Sequence, residues 1–204
     1  MSDLTHFDMQ PLQMDPKSKA ILVGRGTRGT RALQYELEQL NTLHRSLIST
    51  TEAVSPHGVP LPPVPVNPKR SANISKLRDN GNAEYRKARY EDALKLYTLG
   101  IQMAQGRPVW EPSALVREEL SGLYANRAQA YMALQQWPEG AVDAQTSVDI
   151  RRVGNAKAWW RRGKCLQEMG RLEEARSWVK QGLEVEGEEA ELMSLLKDIN
   201  SRLS

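Results

Sequence analysis

Three stretches in the C-terminal two thirds of this chain repeat one another. They are "ISKLRDNGNAEYRKARYEDALKLYTLGI", "LSGLYANRAQAYMALQQWPEGAVDAQTSVDI" and "NAKAWWRRGKCLQEMGRLEEARSWVKQGLEV". Each reads as a helix, a tight turn and a second helix. An aromatic residue or Leu opens each second helix, and a small residue follows three positions on: Tyr90 then Ala93, Trp137 then Gly140, Leu172 then Ala175. One such unit cannot bury its apolar face alone, so successive units must stack into a solenoid. The final stretch, "EEAELMSLLKDINSRLS", carries Leu192, Leu195, Ile199 and Leu203 on one stripe and polar residues elsewhere. It predicts a capping helix.

The unit resembles the tetratricopeptide repeat, a helix-turn-helix of about 34 residues. Leu77, Gly81, Ala93 and Tyr97 carry the resemblance in the first repeat, Ala128 and Tyr131 in the second, and Trp159, Gly163, Leu166 and Ala175 in the third. The small residues let paired helices approach, and the large ones fill the space between repeats. Gly140 stands where this family usually has Ala, and no unit keeps the family's terminal proline. The predicted fold class is mainly α: a three-repeat solenoid with a C-terminal capping helix, preceded by a small mixed α/β domain.

That N-terminal domain is expected over residues 1–54, a proline-rich linker over 55–70 and the repeat domain over 71–204. A helix is predicted from near Thr30, with Leu33, Leu37, Leu40 and Leu47 at helical spacing and Leu43 widening the stripe. Val54 to Pro68 holds six prolines in fifteen residues, which makes an extended, semi-rigid segment. Pro60-Leu61-Pro62-Pro63 formally matches P-x-x-P, and a plain linker is the reading taken. A domain of this size without disulfide or metal is marginal by itself, so its apolar surface is expected to pack on the repeats or on a partner. A strand over Lys19 to Val23 offers an edge for pairing with another chain.

Gly24-Arg25-Gly26-Thr27-Arg28-Gly29 spells G-x-G-x-x-G between an apolar run and a helix. A dinucleotide site also needs a βαβ unit and an acid about 20 residues on. Ser49 stands there, the next acid is Glu52, and prolines follow instead of a second parallel strand. A flexible turn is the reading taken, with no cofactor. His6, His44 and His57 lack metal-ligand spacing with Cys165, so no metal is expected. Cys165 is the one cysteine, which excludes an internal disulfide and fits a reducing compartment. It is expected in the core. No nucleophile–base set or carboxylate pair stands out, so the chain is not read as an enzyme. The net charge of +3 permits a local basic patch without demanding a nucleic-acid partner. Arg151, Arg152, Arg161, Arg162 and Lys164 cluster near Trp159 and Trp160, but Trp159 sits at a packing position. "MSDLTHFDMQ" has neither a basic n-region nor an apolar h-region, so no secretory signal is expected. No window approaches about 18 unbroken apolar residues, so no direct membrane span is expected.

Five polar residues recur at equivalent places on the first helix of each repeat. Arg78 and Asn82 are four apart, Asn126 lies in the second repeat, and Lys157 and Arg161 are again four apart. Residues at i and i+4 share a helical face, so each pair points one way. The set resembles the carboxylate clamp of tetratricopeptide co-chaperones, with Arg78 in place of the usual Lys. That resemblance implies a groove gripping the C-terminal tail of Hsp70 or Hsp90, which ends Glu-Glu-Val-Asp. Three cations suit the paired carboxylates of a terminal Asp, and the carboxamides suit carboxylate or backbone oxygens. Tyr85, Leu123 and Trp160 are candidates for an apolar contact upstream of the tail.

From Asn82 to Asn126 is 44 residues, about 13 more than the family interval, while Asn126 to Arg161 is 35, near one repeat. The insertion lies in "AQGRPVWEPSALVREELSGLYANRA". There the helix of repeat two is expected to extend towards Pro112, with a loop holding Trp110. With the proline-rich lead-in and the N-terminal domain, this resembles the tetratricopeptide subunits of fungal Sec complexes for post-translational import into the endoplasmic reticulum. That resemblance implies a peripheral subunit on the cytosolic face of the endoplasmic reticulum membrane. A membrane-anchored Sec subunit would hold it through the N-terminal domain, and the repeats would receive cytosolic Hsp70. The alternative is a soluble Hsp70/Hsp90 co-chaperone adaptor with no membrane complex.

Overall fold

The computed structural model describes residues 11–24, 26, 29–50, 66, 68–107 and 111–203, with residues 46–50 as backbone only. The chain divides into two compact units, residues 1–64 and 65–204. The proline-rich segment up to Pro65, its P-x-x-P, and Trp110 lie outside the described residues.

In the N-terminal unit, strands β1 (Leu12–Met14) and β2 (Ile21–Val23) pair antiparallel, with Gln13 opposite Leu22. The turn between them is organised by Asp15, whose carboxylate accepts hydrogen bonds from the Lys17 N–H and the Ser18 hydroxyl. Lys19 lies within this turn with φ +57°, so the strand is shorter than the sequence predicts. Helix α1 (Arg31–Thr50) begins where expected, because Thr30 Oγ1 accepts the Leu33 N–H as an N-cap. Leu37 is buried, Leu33 and Leu43 are half-buried, and Leu40 is 40% exposed. The helix thus buries a narrower stripe than its sequence suggests, and the Leu47 side chain lies outside the described residues. From α1, the Asn41 carboxamide both donates to the Ile21 C=O and accepts from the Ile21 N–H. It closes the β2 edge at Ile21, which corrects the expectation of a free edge there.

The glycines after β2 answer to backbone geometry. The Gly24 N–H donates to the Pro11 C=O at 2.6 Å, and a Cβ on Gly24 would stand 2.9 Å from that same oxygen. Gly26 has φ +89°, in the left-handed region that favours glycine. The strand ahead of them pairs with the strand that precedes it, antiparallel, so the βαβ arrangement of a dinucleotide site does not form here.

In the second unit, seven helices follow: α2 (Pro68–Arg86), α3 (Tyr90–Gln105), α4 (Ser113–Ala133), α5 (Trp137–Ile150), α6 (Ala156–Glu168), α7 (Leu172–Glu186) and α8 (Ala190–Leu203). They form three helix pairs and a cap. Helix α2 starts at Pro68, so the last residues of the segment read as linker are already helical. Proline is tolerated in the first helical turn, and Arg70 fixes the turn by donating to the C=O groups of Met103 and Gly106.

The three A-to-B turns share one construction. Ala88, Gln135 and Gly170 each adopt a left-handed φ of 59°, 59° and 75°. The next residues, Arg89, Gln136 and Arg171, each donate back to a carbonyl five positions earlier. This is the Schellman closure of a helix end. Beyond the turns, close packing depends on missing side-chain atoms. A Cβ on Gly81 would lie 2.5 Å from the Tyr97 ring, and one on Gly163 would lie 2.5 Å from Val179 Cγ2. Ala93, Ala128 and Ala175 are fully buried at neighbouring approaches, and Gly140 lies against Cys165 Sγ. Cys165 is buried, and burial pushes its thiol pKa up to about 12, as fits a core residue. Leu192, Leu195 and Ile199 seal the last pair as a cap.

The insertion is held by a buried ion network that the sequence reading passed over. Arg107 is 6% exposed and clamps Glu119 through Nε and Nη2 at 2.8 and 2.6 Å. It also pairs with Glu111 and donates to Ser71 at 2.7 Å. The end of α3, the insertion, α4 and α2 thereby meet at one guanidinium. Removing it leaves two carboxylates poorly solvated. Arg107→Ala is expected to destabilise the protein by about 3 kcal/mol, read as a lowered urea midpoint, because breaking one side of a buried pair strands the other.

Candidate functional site

Helices α2, α4 and α6 bring the five polar residues to one place. Arg78, Asn82, Asn126, Lys157 and Arg161 all line a single open groove of about 820 Å³. Asn82 and Arg161 are supported from behind.

Asn82 is oriented by two donors. The Tyr97 hydroxyl donates to its Oδ1 at 2.7 Å, and the Asn126 carboxamide donates to the same oxygen at 3.0 Å. The Asn82 N–H₂ group is left without an acceptor among the described residues. Burial pushes the Tyr97 pKa up to about 12, so the phenol stays a donor. The sequence marks Tyr97 only as a packing residue, yet the ring beneath Gly81 also sets the polar site.

Arg161 is the most constrained of the five. It is 8% exposed, and its Nη1 donates to the Ala125 C=O at 2.9 Å while Nη2 donates to Gln129 Oε1 at 2.7 Å. No described carboxylate pairs with it. Burial lowers its pKa, because desolvation disfavours the charged form. A guanidinium nevertheless remains charged at neutral pH. It is a poorly solvated cation held in place by two hydrogen bonds. Gln129, one helical turn beyond Asn126 on the same face, is a site residue that sequence reading missed.

The helix that carries Lys157 and Arg161 is anchored at its start. Asn155 Nδ2 donates to the C=O groups of Ser147 and Arg151, and Glu186 accepts the N–H groups of Gly154 and Asn155. Lys157 is exposed, and no partner holds its ammonium among the described residues. Arg78 is also exposed, held only by Ser75 and by Asp79 at 3.6 Å. The groove thus combines one buried, hydrogen-bonded cation with two solvent-exposed ones.

A second cavity of about 490 Å³ shares Gln129, Lys157, Arg161 and Glu191 with the groove and adds Tyr85, Met132, Ala133, Trp137, Trp160 and Lys164. Two of the three upstream candidates, Tyr85 and Trp160, belong to it. Leu123 does not: it is fully buried and packs against Gly100. The basic cluster of repeat three is divided: Arg161 and Lys164 both line the second cavity, and Arg162 does not. Arg161 lies in the groove, Arg162 stacks 4.3 Å over Trp178, and Lys164 pairs with Glu168 at 2.6 Å. Trp159 is buried and donates to the Arg152 C=O.

Comparison with known proteins places this architecture. The chain is similar to the ER protein translocation subcomplex subunit sec67 of Schizosaccharomyces pombe, 41% identical over 124 residues, or 61% of this chain and 64% of that protein. A chain of the Sec complex from Saccharomyces cerevisiae, solved by cryo-EM, superposes with a TM-score of 0.65 at 26% identity, covering 95% of this chain and 97% of that one. The fold is that of a tetratricopeptide-repeat solenoid. The chain resembles the tetratricopeptide subunits of the fungal Sec translocation complex. The repeat region is also similar to the second TPR domain of human RPAP3, solved in complex with the HSP70 peptide SGPTIEEVD. There the TM-score is 0.54 at 25% identity, covering 64% of this chain and 98% of that one. No family model matches the chain.

Burying the Arg161 guanidinium carries a desolvation cost that its two hydrogen bonds offset only in part. Arg161→Met, similar in length and uncharged, is expected to leave the unfolding free energy within about 1 kcal/mol of wild type or above it, measured by urea titration without ligand.

Proposed function

We propose that this chain is a non-catalytic receptor subunit of the endoplasmic reticulum Sec translocation complex, and that its groove binds the acidic C-terminal tail of cytosolic Hsp70. Bound chaperone would deliver precursors for post-translational translocation. The observation that carries the reading is the convergence of Arg78, Asn82, Asn126, Lys157 and Arg161 on one open groove, with Arg161 buried and in no ion pair with a described carboxylate. A terminal Asp brings two carboxylates close together. Arg161 and Lys157 meet them with charge-assisted hydrogen bonds, and the amide groups of Asn82 and Asn126 are positioned to bond carboxylate or backbone oxygens. Each charged bond is worth about 1.5–3 kcal/mol net. Several of them, less the cost of ordering a flexible tail, give roughly micromolar affinity. Such an affinity suits a receptor that must release its chaperone.

The N-terminal domain, residues 1–54, docks a membrane-anchored Sec subunit in this reading and so places the protein on the cytosolic face. Leu12, Met14, Leu22, Tyr35 and Leu40 are all at least 40% exposed in that unit, more apolar surface than a small isolated domain needs. Among the described residues no helix is long and apolar enough to cross a membrane. The likeness to a co-chaperone-type repeat domain keeps a soluble adaptor as the second reading.

Titration with an octapeptide ending in free Glu-Glu-Val-Asp tests the clamp. Binding near micromolar is expected, weakened at least about tenfold by Arg161→Met or by amidating the terminal carboxylate. Undiminished binding of the amidated peptide contradicts the mechanism. Pull-down of a membrane-anchored Sec subunit, lost on deleting residues 1–54 while tail binding persists, separates the membrane-complex reading from the soluble one.

A further inference from the structure

The groove is not uniformly basic. The end of α7, the turn after it and the start of α8 contribute Glu186, Glu189 and Glu191 to its lining, beside Arg78, Lys157 and Arg161. Glu186 is already engaged, accepting the N–H groups of Gly154 and Asn155. The carboxylates of Glu189 and Glu191 have no hydrogen-bond or ion-pair partner among the described residues. Glu191 holds a particular place. It lines the clamp groove, the adjoining aromatic cavity and a third cavity against the cap helix. A chain end seated at Arg161 and running on to Tyr85 and Trp160 passes this carboxylate.

A receptor built only to attract acid would not set an unpaired acid at that junction. Glu191 is in the first turn of α8, where a carboxylate also favours the helix dipole. The dipole explains an acid near the start of α8. It does not explain one that faces the groove beside the buried guanidinium, whose charge it feels.

We propose that Glu191 is a specificity residue. It makes the groove read a charge pattern: an acidic chain end preceded, where the ligand passes the cap helix, by a basic residue rather than an acidic one. The inference rests on the tail-binding reading above and narrows its ligand class. A lysine at that point gains a counter-charge, and a glutamate meets repulsion across the mouth of the aromatic cavity. Both charges are partly exposed, so the discrimination is modest, about two- to five-fold, and it shrinks as salt is raised.

The test uses octapeptides ending in free Glu-Glu-Val-Asp, each carrying one Lys or one Glu at one of the four upstream positions, titrated into the full chain. Wild type is expected to prefer Lys over Glu about two- to five-fold at one or two of those positions. Glu191→Gln is expected to remove that preference, and Glu191→Lys to invert it. Glu188→Gln changes net charge equally at an exposed residue outside the groove lining and should leave the preference intact. A ratio of affinities is read, so a loss of helix stability in Glu191→Gln does not imitate the effect. Equal binding of the Lys and Glu series by wild type overturns the inference, and so does a preference that survives Glu191→Gln. In either case tail binding itself still stands. Failure of every peptide to bind wild type removes the tail-binding reading and this inference with it.

Discussion

The Tyr97 ring fits under Gly81, and the rest of the domain depends on contacts of this kind. Its edge occupies the volume a side chain at position 81 would take, so α2 and α3 approach closely. The same exclusion recurs between Gly163 and Val179 in the third repeat. Close approach within each pair lets the next pair stack, and stacking brings α2, α4 and α6 side by side. A groove follows from that succession. Tyr97 joins packing to chemistry directly, because its hydroxyl orients Asn82. The polar site is therefore built on the core, and its precision is inherited from interior packing rather than from loops.

Within the groove, order is uneven in a way that suits transient binding. Arg161 is fixed by Ala125 and Gln129 and has lost most of its water before any ligand arrives. That part of the desolvation cost is met during folding, so less remains when a carboxylate binds. Lys157 and Arg78 stay solvated and give long-range attraction that salt weakens. One cation is preorganised and two are solvent-exposed.

Much of this was legible in the sequence. The repeat period, the small residues at fixed places and the five polar positions were readable because helical spacing converts sequence register directly into a shared face. The turn positions before Tyr90, Trp137 and Leu172 followed from the same register. What escaped was set by contacts across sequence distance. Arg107 meets Glu119 and Ser71 through an insertion whose course no periodicity describes. Leu123 looked like a groove residue because it lies near Asn126 in sequence, yet it points into the core at Gly100. Asn41 closing the β2 edge could not be foreseen, since one carboxamide replaced a strand. Of the G-x-G-x-x-G, Gly24 serves a tight approach to Pro11.

The central claim is that a buried guanidinium and a terminal carboxylate recognise each other. A double-mutant cycle measures this most directly, with wild type and Arg161→Met each titrated against the free-acid tail and its C-terminal amide. A coupling energy of about 1.5 kcal/mol or more is the result predicted. Losses that simply add, to within about 0.5 kcal/mol, would contradict it, because the two groups would then act independently.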